Sequence, residues 1–66
     1  MIVTKQVVSS AIKQLAYDLD RRVLTITFTS GNEYDYENFE QDTFERFYKA
    51  KSVGRFYNEQ VKGMYI

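Results

Sequence analysis

The sequence predicts an α+β domain, in which a three-stranded antiparallel meander is followed by two helices packed on one face. Three observations carry that prediction. Val23–Thr29 and Glu33–Glu37 both alternate apolar and polar residues around the turn cluster Ser30-Gly31-Asn32. Near Asn38 the apolar period changes from two to about 3.6. Phe44, Phe47 and Tyr48 then fall at i, i+3 and i+4, one face of a helix.

Each element has its own justification. Ile2 to Ser10 is apolar and β-branched around Val7-Val8, which reads as extended. Met1–Val7 is either an extra edge strand or an arm that pairs with another chain. Lys13–Tyr17 reads as a strand with Leu15 and Tyr17 on one face, and Asp18–Arg22 as the polar turn that follows. In Val23–Thr29, Leu24, Ile26 and Phe28 point one way and the β-branched Val23, Thr25, Thr27 and Thr29 the other. Gly31 and Asn32 tolerate the positive φ that a tight hairpin needs. In Glu33–Glu37 both tyrosines share one face and three acids the other, so Tyr34 and Tyr36 are expected on the side that the helices cover.

The first helix is expected from about Glu40 to Ala50. Acidic residues load its start and Arg46, Lys49 and Lys51 its end, which suits the helix dipole. Ser52 is the expected N-cap of a second helix through about Lys62, with Gly63 as a left-handed C-terminal cap.

Composition excludes several functions. The chain of 66 residues is read as a single domain over 1–66, and it holds no Cys and no His. Disulfides, thiolate nucleophiles, Cys zinc sites and His-based triads are therefore excluded. No cofactor, metal site or catalytic residue is expected, and the chain is read as non-enzymatic. No apolar run suits a signal peptide or a membrane span, so a soluble, cytoplasmic protein without membrane partners is expected. A domain of this size has a marginal core. Its 6 Tyr and 5 Phe are read first as core filler, and self-association as a homo-oligomer becomes attractive.

The charges sum to zero, with 9 basic and 9 acidic residues, but they are unevenly placed. Residues 18–45 are strongly acidic and residues 46–66 basic. One reading is solvated faces and helix ends that suit their dipoles. The other is a basic C-terminal surface that meets phosphate.

The motifs assemble into a resemblance. Val8-Ser9-Ser10 with Ile12, then Ala16-Tyr17-Asp18, then Leu24, Ile26 and Phe28 with Gly31 and the Tyr34-x-Tyr36 pair, resemble the front of the KTSC domain family. That family is named for a C-terminal extension of some lysyl-tRNA synthetases. Ala50, Ser52, Gly54, Phe56-Tyr57-Asn58, Val61, Gly63 and Tyr65 resemble its rear. The likeness runs from about Val8 to Tyr65. Ala11 stands where the family usually has a third serine, and Phe39-Glu40 where it usually has Val-Pro. The resemblance implies a stand-alone bacterial or phage member of the family, and its association with a tRNA enzyme implies RNA binding.

Candidate site residues follow from that reading. Tyr34 and Tyr36 lie about 7 Å apart on one strand face, near a base-stacking spacing. Arg55, Lys62, Lys51 and Lys49 are the cations that would meet phosphate. Ser52, Gly54 and Arg55 form a helix-start corner that favours an anion. Asn58 would read a base edge or hold a loop, and Ser9 and Ser10 would bind or simply turn the chain. Tyr57 and Tyr65 add hydroxyls that would reach a shared site. Besides RNA, two other partner classes fit these residues. One is a nucleotide, bound by an oligomeric sequestering protein. The other is a host protein, docked as an added strand along Ile2–Val8.

Overall fold

The computed structural model describes residues 1–63. Four strands form one antiparallel sheet in sequence order: β1 (Ile2–Gln6), β2 (Ile12–Asp18), β3 (Val23–Phe28) and β4 (Glu33–Tyr36). Helix α1 (Gln41–Lys49) and helix α2 (Val53–Phe56) follow, and a π-helical segment, Tyr57–Val61, continues α2. The N-terminal segment is therefore an edge strand rather than an arm. All five of its residues pair with β2, from Ile2 opposite Asp18 to Gln6 opposite Gln14.

The sheet buries the face that the alternation predicts. Leu24 and Ile26 stand opposite Tyr36 and Tyr34, so all four share the helix-covered side. Leu15 and Tyr17 align with Ile26 and Leu24 on that side. Phe39, Phe44, Phe47, Val53 and Val61 close over them from the helical layer. Between the layers, the Tyr17 ring stacks on Phe44, centroids 4.8 Å apart, and within the helical layer Phe47 of α1 stacks on Phe56 of α2 at 5.1 Å. The other face of the sheet is uncovered; Thr4, Ala16 and Thr25 lie on it.

Strict alternation breaks once, in β2. Ile12 pairs with Phe28, yet Gln14 pairs with Thr27, so Lys13 is an extra residue in a β-bulge. The bulge lets Ile12 and Leu15, three positions apart, both lie fully buried. It also bends the end of β2 where the chain arrives from Val7.

Three connections carry positive φ among the described residues, at Arg22, Gly31 and, between β4 and α1, Asn38 at φ 57°. Gly31 at φ 98° closes the β3–β4 hairpin, where only glycine is at ease. Arg22 at φ 59° ends the β2–β3 turn, its N–H on the Asp18 carbonyl at 2.7 Å. The Asp18 carboxylate accepts the N–H groups of Asp20 and Arg21, at 3.0 and 3.2 Å. Those bonds, that of Arg21 foremost, hold its carboxyl below the usual carboxylate range.

The sheet and the helical layer meet at Phe39. Its N–H donates to the Arg22 carbonyl at 2.9 Å, and its carbonyl accepts the buried Tyr17 hydroxyl. Glu40 then caps α1 with extended backbone and without a side-chain bond, while Asp42 and Arg46 pair along the helix at 3.2 Å.

The second helix departs from expectation at its end. The Lys62 N–H reaches back five residues to the Tyr57 carbonyl at 2.8 Å, which makes the last turn a π turn. Lys62 is still right-handed, at φ −56° and ψ −40°, and Gly63 does not take the left-handed conformation expected of it. The wide turn bonds the Tyr57 carbonyl without a left-handed residue.

Candidate functional site

A cleft of about 510 Å³ opens between the β1–β2 connection, the end of β3 and the start of the second helix. Its walls are built from Val8–Ile12, Phe28, Lys51–Arg55 and Tyr57-Asn58.

Local structure sets each wall. Ser9 accepts the N–H groups of Ala11 and Ile12 at 3.1 and 3.2 Å, so its hydroxyl turns the chain into β2. The Ser10 carbonyl takes the Thr29 hydroxyl at 3.1 Å, which ties the loop to the end of β3. The Ser10 hydroxyl bonds no protein group among the described residues. Ser52 caps α2, accepting the Arg55 N–H at 3.3 Å. A Cβ on Gly54 would stand 3.5 Å from the Ser9 oxygen, so α2 begins close against the loop.

The aromatic wall has a defined order. Phe28 meets Tyr34 and Tyr57 edge to face, with centroids 5.6 and 5.4 Å apart. Tyr36 meets Tyr57 in the same way, and their hydroxyls bond at 2.9 Å. Burial first, and then the bond to Tyr57, pushes the Tyr36 phenol above its ordinary pKa. Tyr36 thus stays a neutral hydroxyl at neutral pH.

Charge in the cleft is one-sided. Lys51 and Arg55 line it, and no carboxylate does. Arg55 also donates Nε to Glu59 at 3.0 Å, an exposed i,i+4 pair worth about 0.3–0.5 kcal/mol. The remaining guanidinium nitrogens donate to no carboxylate among the described residues. The exposed Asn58 side chain bonds no protein group among the described residues.

The structure brings together Ser9, Ser10, Ser52, Gly54, Arg55, Tyr57 and Asn58 at this one cleft. Tyr36 stands behind it through Tyr57. Tyr34 does not line it: it shares the helix side of the sheet but remains 53% exposed, because β4 is an edge strand and Tyr34 lies near the hairpin tip. The paired-tyrosine stacking platform is therefore not formed, since Tyr36 is partly buried against Tyr57. Lys62 is exposed and does not line the cleft. Tyr65 lies outside the described residues. The helix-start corner is altered too, because Ser52 already takes the Arg55 N–H.

Phe28 was not among the candidates, and Lys51 was only one of four cations. Phe28 closes the apolar series of β3 and reads as core. Its place at the strand end beside the Ser10–Thr29 bond is what turns it toward the cleft. Among the described residues no cluster of His, Cys, Asp or Glu is arranged to hold a metal ion. No helix there is long and apolar enough to cross a membrane.

Comparison with known proteins places the geometry in context. A KTSC domain family model matches residues 8–65. An uncharacterized protein of Stutzerimonas stutzeri (strain A1501) is 33% identical over 54 residues, covering 82% of this chain and 76% of that protein. A lysine–tRNA ligase of Nostoc punctiforme (strain ATCC 29133 / PCC 73102) is 36% identical over 56 residues. The match covers 85% of this chain but only 10% of the ligase. The crystal structure of a KTSC domain protein from Yersinia pestis superposes with a TM-score of 0.92 at 32% identity, covering 100% of this chain and 93% of that one.

Proposed function

The chain belongs to the KTSC domain family, and on that premise we propose that it is a small, non-catalytic RNA-binding domain of the cytoplasm. The RNA would enter the cleft between Val8–Ile12 and Lys51–Asn58. The observation that carries this reading is the one-sided charge: two cations and no carboxylate line a cleft in a chain of zero net charge. Lys51 and Arg55 supply donors to phosphate. Phe28 and Tyr57 supply an apolar wall for a base or ribose, and Asn58 and Ser10 free polar groups.

Two further facts support it. The similar segment in the Nostoc protein is part of an enzyme whose name marks it as acting on tRNA. The absence of His and Cys from the sequence removes the commonest catalytic groups.

The test is selection from a random single-stranded RNA pool at low salt. Wild-type protein retains RNA, and Lys51→Ala and Arg55→Ala each weaken retention across all sequences, as loss of a phosphate contact does. If no RNA is enriched over a protein-free control, the reading is wrong.

A second reading is favoured by the cleft's size. A volume of about 510 Å³ lies in the range that holds one small ligand. The cleft would then sequester a free nucleotide, with the protein acting as an oligomer. A nucleotide panel separates the two: sequestration predicts a raised melting temperature with a free nucleotide, and a native mass above that of one chain.

A further inference from the structure

The shape of the cleft bears on which form of RNA enters it, and the inference rests on the RNA reading above. We propose that the cleft receives one unpaired nucleotide, its two flanking phosphates at Lys51 and Arg55, one at each, and its base edge at Asn58, so that the domain selects single-stranded over duplex RNA.

Size is the first argument. The cleft has the volume of a site for one small ligand, not of a groove that follows a helix.

The second argument is the placement of polar groups. Asn58 carries a donor and an acceptor on one amide, and neither bonds the protein among the described residues. That pair matches a base edge, and in a duplex the Watson–Crick edge is already taken. The uncovered face of the sheet offers no substitute. Thr4, Gln14, Ala16, Val23, Thr25 and Thr27 stand on it, and none is an aromatic ring on which a base stacks.

Charge supplies the third. With Lys51 and Arg55 alone at the cleft, few phosphates are neutralised on binding. For a single strand each contributes about 0.7 to the salt slope, so log K against log salt should fall with a slope of roughly −1.4. A protein that grips a backbone along its whole face gives a much steeper slope.

Fluorescence anisotropy with labelled short RNA homopolymers and a blunt RNA duplex of equal length tests this, from low to physiological salt. The strand is expected to bind about tenfold tighter than the duplex, because only it offers a free base edge. Lys51→Ala should flatten the salt slope by about 0.7. Asn58→Ala should leave that slope and the circular dichroism unchanged while erasing preference among the homopolymers. Equal affinity for strand and duplex, or a slope steeper than about −3, overturns this inference and leaves RNA binding standing. If neither RNA binds at low salt, both readings fall.

Discussion

The hydroxyls of Tyr36 and Tyr57 lie 2.9 Å apart, and this bond links the edge strand β4 to the second helix beside the cleft. Tyr36→Phe removes it and should lower stability at neutral pH by about 0.5–1.5 kcal/mol. The deficit should depend on pH. In the unfolded chain Tyr36 ionises near pH 10, whereas in the fold its phenol is held above that value, by burial first. The native state then keeps a proton that the unfolded state has lost, so this contribution is whole below about pH 10 and fades as pH rises beyond it. Urea unfolding of wild type and variant should show the gap between them shrinking above pH 10. A gap that widens there would contradict the account.

Tyr17→Phe tests the buried bond to the Phe39 carbonyl. The ring and its stacking on Phe44 are kept, and one buried donor is lost. A stability loss of about 1–3 kcal/mol is expected. In a domain of this size each kcal/mol lowers the melting temperature by about 4–8 °C. A variant that melts with wild type would show that the bond contributes nothing.

Arg22 is a non-glycine residue at φ 59°, a conformation that costs an L-residue about 1–2 kcal/mol. Its carbonyl and N–H both serve the backbone, so the side chain is not required for those bonds. Arg22→Gly should raise stability by up to about 1 kcal/mol, after glycine's greater loss of chain entropy is counted. Chemical denaturation measures it, and a clear loss would assign the side chain a role that the structure does not show.

Gly54→Ala separates folding from binding. An added Cβ meets the Ser9 oxygen at 3.5 Å, an ordinary contact, and Gly54 lies within a helix at negative φ. Stability should be unchanged or rise by about 0.4–1 kcal/mol. The methyl group enters the cleft wall, so RNA retention should fall while the melting temperature does not. A fall in both would make the glycine a folding requirement.

Much of the sheet was legible in the sequence because a half-buried strand writes its two faces as alternation. Leu24, Ile26, Tyr34 and Tyr36 stand on the expected side for that reason. The place of Ile12 was not legible, since a period of two puts it opposite Leu15 and only the bulge at Lys13 brings both inside. The π turn after Tyr57 left no mark either. Gly63 suggested an ordinary helix end instead. At the site, residue types pointed to the start of the second helix and to Ser9-Ser10, which do face one another. Ser52 was legible as the N-cap that takes the Arg55 N–H, and turning the chain was one of the two readings of Ser9. What the residue types did not single out is that Arg55 holds Glu59.

Phe39 has a consequence for how the molecule comes apart. Its amide is anchored to the β2–β3 turn and its carbonyl to Tyr17, while its ring is fully buried. The chain passes from strands to helices through residues 37–40, and within that connection Phe39 is pinned to the sheet by both its amide and its carbonyl. The helical layer is therefore tied to the sheet at its very start. Loosening it exposes Tyr17 and the aromatic ring together, so the two layers should be lost in a single cooperative event. The Phe39 amide would then exchange with solvent only as often as the whole domain opens.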